Sequence, residues 1–270
     1  MNDPHVTIEP SILYLGTPVV LISTVNEDGS SNLAPMSAAW WLGWRAMLGL
    51  QTASKTSQNM LRTGQCVLNL PSPAQAEAVN RLARLTGSKS IPEFKQKLGY
   101  TYEPSKFEVA GLTPLASQTV NAPRVLECPI QLEAVLVAQH GIMDDDPQVA
   151  GLISAVEVRI TRVHAHPDIL MEGYENRIDP DKWHPLIMNF QKLYGVSDTQ
   201  VVPSRLAEID ETIYRMPDVD RARTERTGSD EECHSRNESL SPYRGKRRES
   251  FPDRSCAGGW PEQQLFSSHF

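Results

Sequence analysis

Pro18-Val19-Val20-Leu21-Ile22-Ser23-Thr24-Val25, then Asn26-Glu27-Asp28-Gly29-Ser30, then Ser31-Asn32-Leu33-Ala34-Pro35-Met36-Ser37 read as strand, turn and returning strand. The first run is apolar and β-branched, and Asp28-Gly29 supplies the backbone freedom of a tight hairpin turn. Pro35 lies inside the returning strand, where it cannot donate to a ladder, so this strand belongs at a sheet edge or a bulge. Working outward, Trp40-Trp41-Leu42-Gly43-Trp44 precedes a further short strand over 46–51. Ser54 reads as the N-cap of a helix over 55–63 that Gly64 stops in the left-handed conformation. Cys66-Val67-Leu68-Asn69-Leu70 reads as a strand closed by Pro71.

The spacing of Ala78, Leu82 and Leu85 predicts an amphipathic helix over 74–86, ended by Gly87. A short helix is expected at 92–98, long strands at 124–139 and 155–165, and a last helix over 181–194 from the recurrence of Leu186, Ile187, Phe190, Leu193 and Tyr194. Strands outnumber helices and do not alternate with them, so the expected fold is mainly β, an antiparallel Greek-key barrel with helical additions. The expected domain covers 1–215. From 216 to 270 charge blocks such as Arg221–Arg226 and Arg244–Glu249 crowd a chain poor in apolar residues, which reads as a disordered charged tail.

Several classes of function drop out. The net charge of −7 gives no broad basic surface for nucleic acid. No run approaches the roughly 18 apolar residues of a membrane helix, and the N-terminus lacks the pattern of a signal peptide. The four cysteines show no CxxC pairing or zinc spacing. Cys66 and Cys128, set in apolar runs, read as buried small hydrophobes in a reducing compartment, so a cytoplasmic protein is expected.

Two segments carry candidate chemistry. Ser54-Lys55-Thr56-Ser57-Gln58-Asn59 presents a helix start, a cation and hydroxyls, a combination that suits a phosphate but also occurs as a plain cap. Asn32 through Trp41, small residues following an edge strand, either allow a planar group to approach the backbone or form a barrel corner. Rival constellations are His164 and His166 beside Asp144-Asp145-Asp146 as a metal site, Glu127 as a substrate carboxylate or a dimer hydrogen-bond partner, and one indole of the Trp40/Trp41/Trp44 cluster as a ligand contact rather than core.

The order of these pieces resembles the flavin reductase-like, FMN-binding split-barrel family. The resemblance rests on Pro18–Thr24, Asp28-Gly29, Asn32-Leu33-Ala34-Pro35-x-Ser37, Ser54-Lys55-Thr56-x-x-Asn59 and Thr63-Gly64-x-Cys66-Val67-Leu68-Asn69-Leu70-Pro71. It continues through Lys106-Phe107, Ala110-Gly111-Leu112-Thr113-Pro114, Pro123-Arg124-Val125-x-Glu127-Cys128-Pro129-x-Gln131-Leu132-Glu133, and 179–195. Together these motifs span about 10–210, and the tail matches none of them.

The resemblance implies a homodimer binding FMN, less often FAD, without a covalent link. Asn32 and Ser37 would meet the isoalloxazine and ribityl groups, and Ser54, Lys55, Thr56 and Asn59 the phosphate end. It also implies hydride transfer from NADH or NADPH to the flavin, with no catalytic residue assigned because the flavin carries the redox chemistry. The partners implied are a small-molecule substrate or a flavin-dependent monooxygenase that receives reduced flavin. Alternatives are a flavin-dependent enzyme tailoring a small organic substrate, and a flavin-binding electron carrier.

Overall fold

The computed structural model describes residues 3–197 and 199–224. In chain order the elements are β1 (Leu15–Pro18), β2 (Val20–Val25), β3 (Ser31–Met36), β4 (Ala39–Leu42), β5 (Arg45–Gln51), α1 (Lys55–Thr63), β6 (Gln65–Leu70), α2 (Ala76–Leu82) and β7 (Leu85–Thr86). Then follow α3 (Glu93–Lys97), β8 (Thr101–Tyr102), α4 (Lys106–Ala110), β9 (Pro114–Leu115), β10 (Arg124–Val125), β11 (Ile130–Ile142), β12 (Ile153–Ala165), β13 (Leu186–Asn189) and β14 (Lys192–Gly195).

Seven strands form one antiparallel sheet in the order β3-β2-β6-β11-β12-β5-β4. Its two outermost strands, β3 and β4, are separated in sequence only by Ser37-Ala38. Two opposite edges joined by two residues must meet in space, so the sheet curls into a barrel with a seam at Ser37-Ala38. The Gly49 N–H donating to the Ala38 carbonyl at 2.7 Å stitches that seam. This is the mainly β split barrel that the hairpin and the Greek-key expectation describe, and Pro35 does sit on an edge strand.

The run Val19-Val20-Leu21-Ile22 is apolar without alternation because both faces of the sheet are covered. Val20 and Ile22 join Leu48, Leu68, Leu132, Val156 and Val158 inside the barrel, where Trp41 and Trp44 pack against them. Val19 and Leu21 point the other way, toward a second core formed by α2, α4 and β13 through Val79, Leu82, Phe107 and Met188. Cys66 and Cys128 are free and buried, and burial pushes both thiols up, Cys66 to about 12. No helix among the described residues is long and apolar enough to cross a membrane.

Three sequence expectations need correction. Residues 186–195 form a β-hairpin rather than the end of a helix over 181–194. Leu186 and Met188 are buried with a period of two, β13 pairs with β1, and Phe190 and Gln191 turn the chain with φ of 45° and 67°. The helix expected over 74–86 ends at Leu82. Arg84 then adopts φ 60°, and β7 pairs in parallel with β8. Finally, residues 217–224, expected in the tail, are helical. Asp218 accepts from Arg45 Nε at 2.7 Å, Ala222 is buried, and the Met216 side chain covers Gly43. The rest of the expected tail, 225–270, with Cys233 and Cys256, lies outside the described residues.

Candidate functional site: a cation-lined cleft at the barrel seam

A cleft of about 740 Å³ opens along the seam. Its walls are β3 and the seam (Ala34 to Ala38), the end of β5 (Gly49 to Gln51), the start of α1, the 82–87 segment, and side chains from α3 and α4. Ser54 caps α1 in extended conformation, its Oγ accepting from the Ser57 N–H at 3.1 Å. The Ser57 hydroxyl donates back to the Gln51 carbonyl at 2.8 Å, which ties the helix start to β5. The N–H groups of Lys55 and Thr56 have no acceptor within the helix, and they sit at the positive end of its dipole.

Behind the helix start runs a polar chain. Asn32 Nδ2 donates to Thr56 Oγ1 at 3.2 Å and to Thr24 Oγ1 at 3.3 Å, while its Oδ1 accepts from Lys106 Nζ at 3.1 Å. Lys55 reaches outward instead, donating to both carboxylate oxygens of Glu27 at 2.8 and 3.1 Å. That bond holds the Glu27 carboxyl below its ordinary range. Gly87 closes against this chain: a Cβ there would lie 2.5 Å from Asn32 Oδ1 and 3.1 Å from Lys55 Cγ. Only a residue without a side chain permits that approach.

Four basic side chains, Lys55, Arg84, Lys95 and Lys106, line the cleft, and among the described residues no carboxylate does. In a protein of net charge −7 this is a local inversion of sign. Lys106 is 3 % exposed, and burial pushes its ammonium down to about 8, helped by the like charge of Lys95 and opposed by Glu103. Lys95 is also buried and pushed down by burial, with its Nζ 5.5 Å from the centre of the Tyr100 ring. Burial pushes the Tyr100 hydroxyl up to about 12.

The structure brings Ser37, Ser54, Lys55 and Thr56 to one cleft. Asn32 stands directly behind it and lines a smaller adjoining recess with Lys55 and Gly87. Asn59 does not line either. It is fully buried, its Nδ2 donating to Thr24 Oγ1 at 3.0 Å and Asn26 Oδ1 at 2.8 Å, so it braces the turn that carries Glu27. Sequence reasoning passed over Lys95, Lys106, Arg84 and Gly87. Of these, Lys106 stood inside a quoted motif, and Gly87 was read as a helix stop.

The histidine and aspartate constellation does not come together. His164 lies at one end of the β11–β12 ribbon and Asp144–Asp146 beyond the other, so they cannot share a metal. Among the described residues no three His, Cys, Asp or Glu side chains gather as a metal would need. Glu127 accepts from the Thr113 N–H at 3.0 Å and is only half-buried. Trp40 is exposed, Trp41 and Trp44 pack on the core, and none of the three lines the cleft.

The fold is thus a split β-barrel with a cation-lined cleft at its seam, opened by the capped start of α1. The chain belongs to the flavin reductase-like family, whose domain model matches residues 13–192. It is a flavin-related oxidoreductase. Over 189 residues it is 42 % identical to the uncharacterized protein YdfE of Bacillus subtilis (strain 168), covering 70 % of this chain and 88 % of that one. Its fold matches flavoredoxin of Desulfovibrio vulgaris (Miyazaki F) with a TM-score of 0.58 at 20 % identity, over 76 % of this chain and all of the other. Nitrilotriacetate monooxygenase component B from Bacillus cereus matches equally, with a TM-score of 0.58 at 18 % identity over 74 % of this chain and all of that one.

Proposed function

We propose that the protein is a cytoplasmic, homodimeric NAD(P)H-dependent flavin reductase that holds FMN in the seam cleft. The observation that carries the reading is the capped, cation-flanked start of α1 opening into a cleft that no carboxylate among the described residues lines. The free N–H groups of Lys55 and Thr56, the Ser54 and Thr56 hydroxyls and the Lys55 ammonium suit the phosphate. Asn32 orients Thr56 from behind. Ser37 and the small residues Ala34 and Ala38 leave room for a flat ring against the seam. Bound FMN supplies hydride acceptance, and the protein's part is to position and shield it.

NADH or NADPH would dock transiently on the ring face, since the chain has no Rossmann fingerprint to grip a dinucleotide. Exposed Leu15, Trp40 and Leu42, on neighbouring β1 and β4, give an apolar surface suited to a second copy. The likeness to a monooxygenase component suggests reduced flavin handed to a partner oxygenase.

The absorbance spectrum of the purified protein tests the cofactor, and NADH or NADPH oxidation with and without added FMN tests the activity. A reductase turns over added flavin. Turnover only with an organic substrate, or none at all, would replace this reading with a tailoring enzyme or a carrier. The Lys55→Ala/Thr56→Ala double variant should lose about 1.5–3 kcal/mol of FMN affinity per charge-assisted hydrogen bond removed. Unchanged affinity refutes the phosphate assignment.

A further inference from the structure

Away from the start of α1, the wall of the cleft carries a second group of polar side chains. Tyr14 precedes β1, Arg84 lies between α2 and β7, Tyr100 precedes β8, and Gln191 sits in the β13–β14 turn, and all of them line the cleft. Gly87 closes against Lys55, and Arg84 stands three residues earlier on the same wall, up to about 10 Å away. Backbone pairing fixes its surroundings. The Thr101 N–H donates to the Arg84 carbonyl at 3.0 Å at the end of the β7–β8 ladder, which sets Tyr100 beside Arg84. The Phe190 N–H donates to the Tyr14 carbonyl at 2.8 Å, which sets Gln191 near Tyr14. The Tyr100 hydroxyl feels the charges of both Arg84 and Tyr14, so the two halves of the wall meet there.

Arg84 is exposed, and no hydrogen bond or ion pair engages its guanidinium among the described residues. The other cations of the cleft are committed: Lys55 to Glu27, Lys106 to Asn32 and Lys95 to the Tyr100 ring. The Arg84 backbone is held at φ 60° and that of Gln191 at 67°. An L-residue keeps this left-handed conformation only where its surroundings impose it. Two such residues on one wall hold an uncommitted, permanently charged fork beside two phenols.

We propose that Arg84, with the Tyr14 and Tyr100 hydroxyls, is an oxyanion site for the ligand that exchanges hydride with the flavin, which therefore carries a phosphate monoester or a carboxylate. The site rests on the flavin reading only in treating its occupant as the second ligand: FMN has a single phosphate, and under that reading the start of α1 takes it. The guanidinium fork matches two oxygens of either group and keeps its charge at every working pH. Burial pushes the Tyr100 hydroxyl up to about 12, so it stays a donor at neutral and mildly alkaline pH. An exposed cation suits a ligand that arrives and leaves. Two sources could supply the oxyanion: NADPH, whose 2′-phosphate NADH lacks, and an organic acid that is itself the redox substrate.

Calorimetric titration of the full-length protein, incubated with FMN, against 2′-AMP, adenosine and benzoate reads the site directly, and oxidation of NADPH and NADH reads its use. With the 2′-phosphate as occupant, 2′-AMP binds, adenosine does not, and kcat/KM favours NADPH about tenfold or more. With a carboxylate as occupant, benzoate binds and the two nucleotides are oxidised alike. In either case Arg84→Gln should weaken the anion about tenfold or more, and Tyr100→Phe by a smaller factor. Arg84→Gly removes the same fork and relieves the left-handed backbone, so it should lose the anion while melting close to the wild type, even if Arg84→Gln folds poorly. Anion binding that neither Arg84 variant alters belongs elsewhere and would overturn the site. So would a protein that reduces its flavin, binds neither anion and uses NADPH and NADH equally. Either anion held through Arg84 by a protein that takes no flavin would uphold the site and overturn the flavin reading.

Discussion

Replacing Glu133 with glutamine should be among the most destabilising conservative changes in this fold. Glu133 lies on β11 with its side chain fully buried on the outer face of the barrel, beneath the 116–123 loop. Burial alone would push its carboxyl up. It is instead held down at about 2, from an ordinary 4.5, by His164 Nε2 at 2.7 Å, the Thr119 hydroxyl at 2.6 Å and the N–H groups of Gln118 and Thr119. The preference of the folded state for the carboxylate amounts to about 3 kcal/mol at neutral pH.

A glutamine keeps one acceptor oxygen, loses the charge and turns an NH₂ toward groups that are themselves donors. For a domain of this size the loss should lower Tm by roughly 6–12 °C at pH 7. The sign follows from linkage. A carboxyl whose folded value is depressed stabilises the fold fully above about 4.5, and the contribution fades as pH falls toward 2. Thermal melts followed by circular dichroism between pH 7 and pH 3 should show a gap between wild type and Glu133→Gln that narrows below pH 4.5. A Tm drop under about 2 °C at pH 7, or a gap indifferent to pH, would refute the reasoning.

Two further expectations concern the cleft. Gly87→Ala puts a methyl 2.5 Å from Asn32 Oδ1, and Asn32 is too buried to retreat. The variant should lose the Lys106 and Thr56 hydrogen bonds, costing about 1–3 kcal/mol of stability and a comparable share of FMN affinity, as read by melts and flavin titration. The ligand-free protein should also gain stability as pH rises from about 8 toward 10.5. Lys106 is charged less readily in the fold than in the unfolded chain, so the unfolded state binds more protons across that window. Of a full span of about 3 kcal/mol, about 2 kcal/mol should appear between pH 7.5 and 9.5 and vanish in Lys106→Met, as denaturant titrations at those two values will show.

What was legible in the sequence was local. The β2–β3 hairpin announces itself because Asp28-Gly29 is a turn signal and Pro35 an edge signal, and α1 because Ser54 and Gly64 mark its ends. The β13–β14 hairpin was hidden because Phe190 and Gln191 take positive φ without the glycine or asparagine that normally betrays such a turn. In 83–87 the helical spacing of Leu82 and Leu85 mimics a continuing helix, although Leu85 is in β7 and partly packed on the second core. Nothing near Lys106 marks it as buried. Its burial comes from α4 packing against α2 and β3, a contact between segments far apart in the chain.

The same distance in sequence explains why the polarity of the cleft could not be read in advance. Lys55, Arg84, Lys95 and Lys106 come from four separate segments, and the acidic residues next to Lys95 and Lys106 in sequence (Glu93, Glu103 and Glu108) do not line the cleft. Glu93 illustrates this: it pairs with Lys97 on the exposed side of α3 while Lys95, two residues away, turns inward. A chain of net charge −7 repels anions at long range, so the cations act only once an anion is near the cleft mouth. Lys55 with Glu27 then offers the exchangeable outer contact. The buried lysines are costly to the empty fold, and an anion held in the cleft would offset part of that cost. Under the flavin reading proposed above, stability and ligand binding would be coupled through those amines, and a variant that relieves the one should weaken the other.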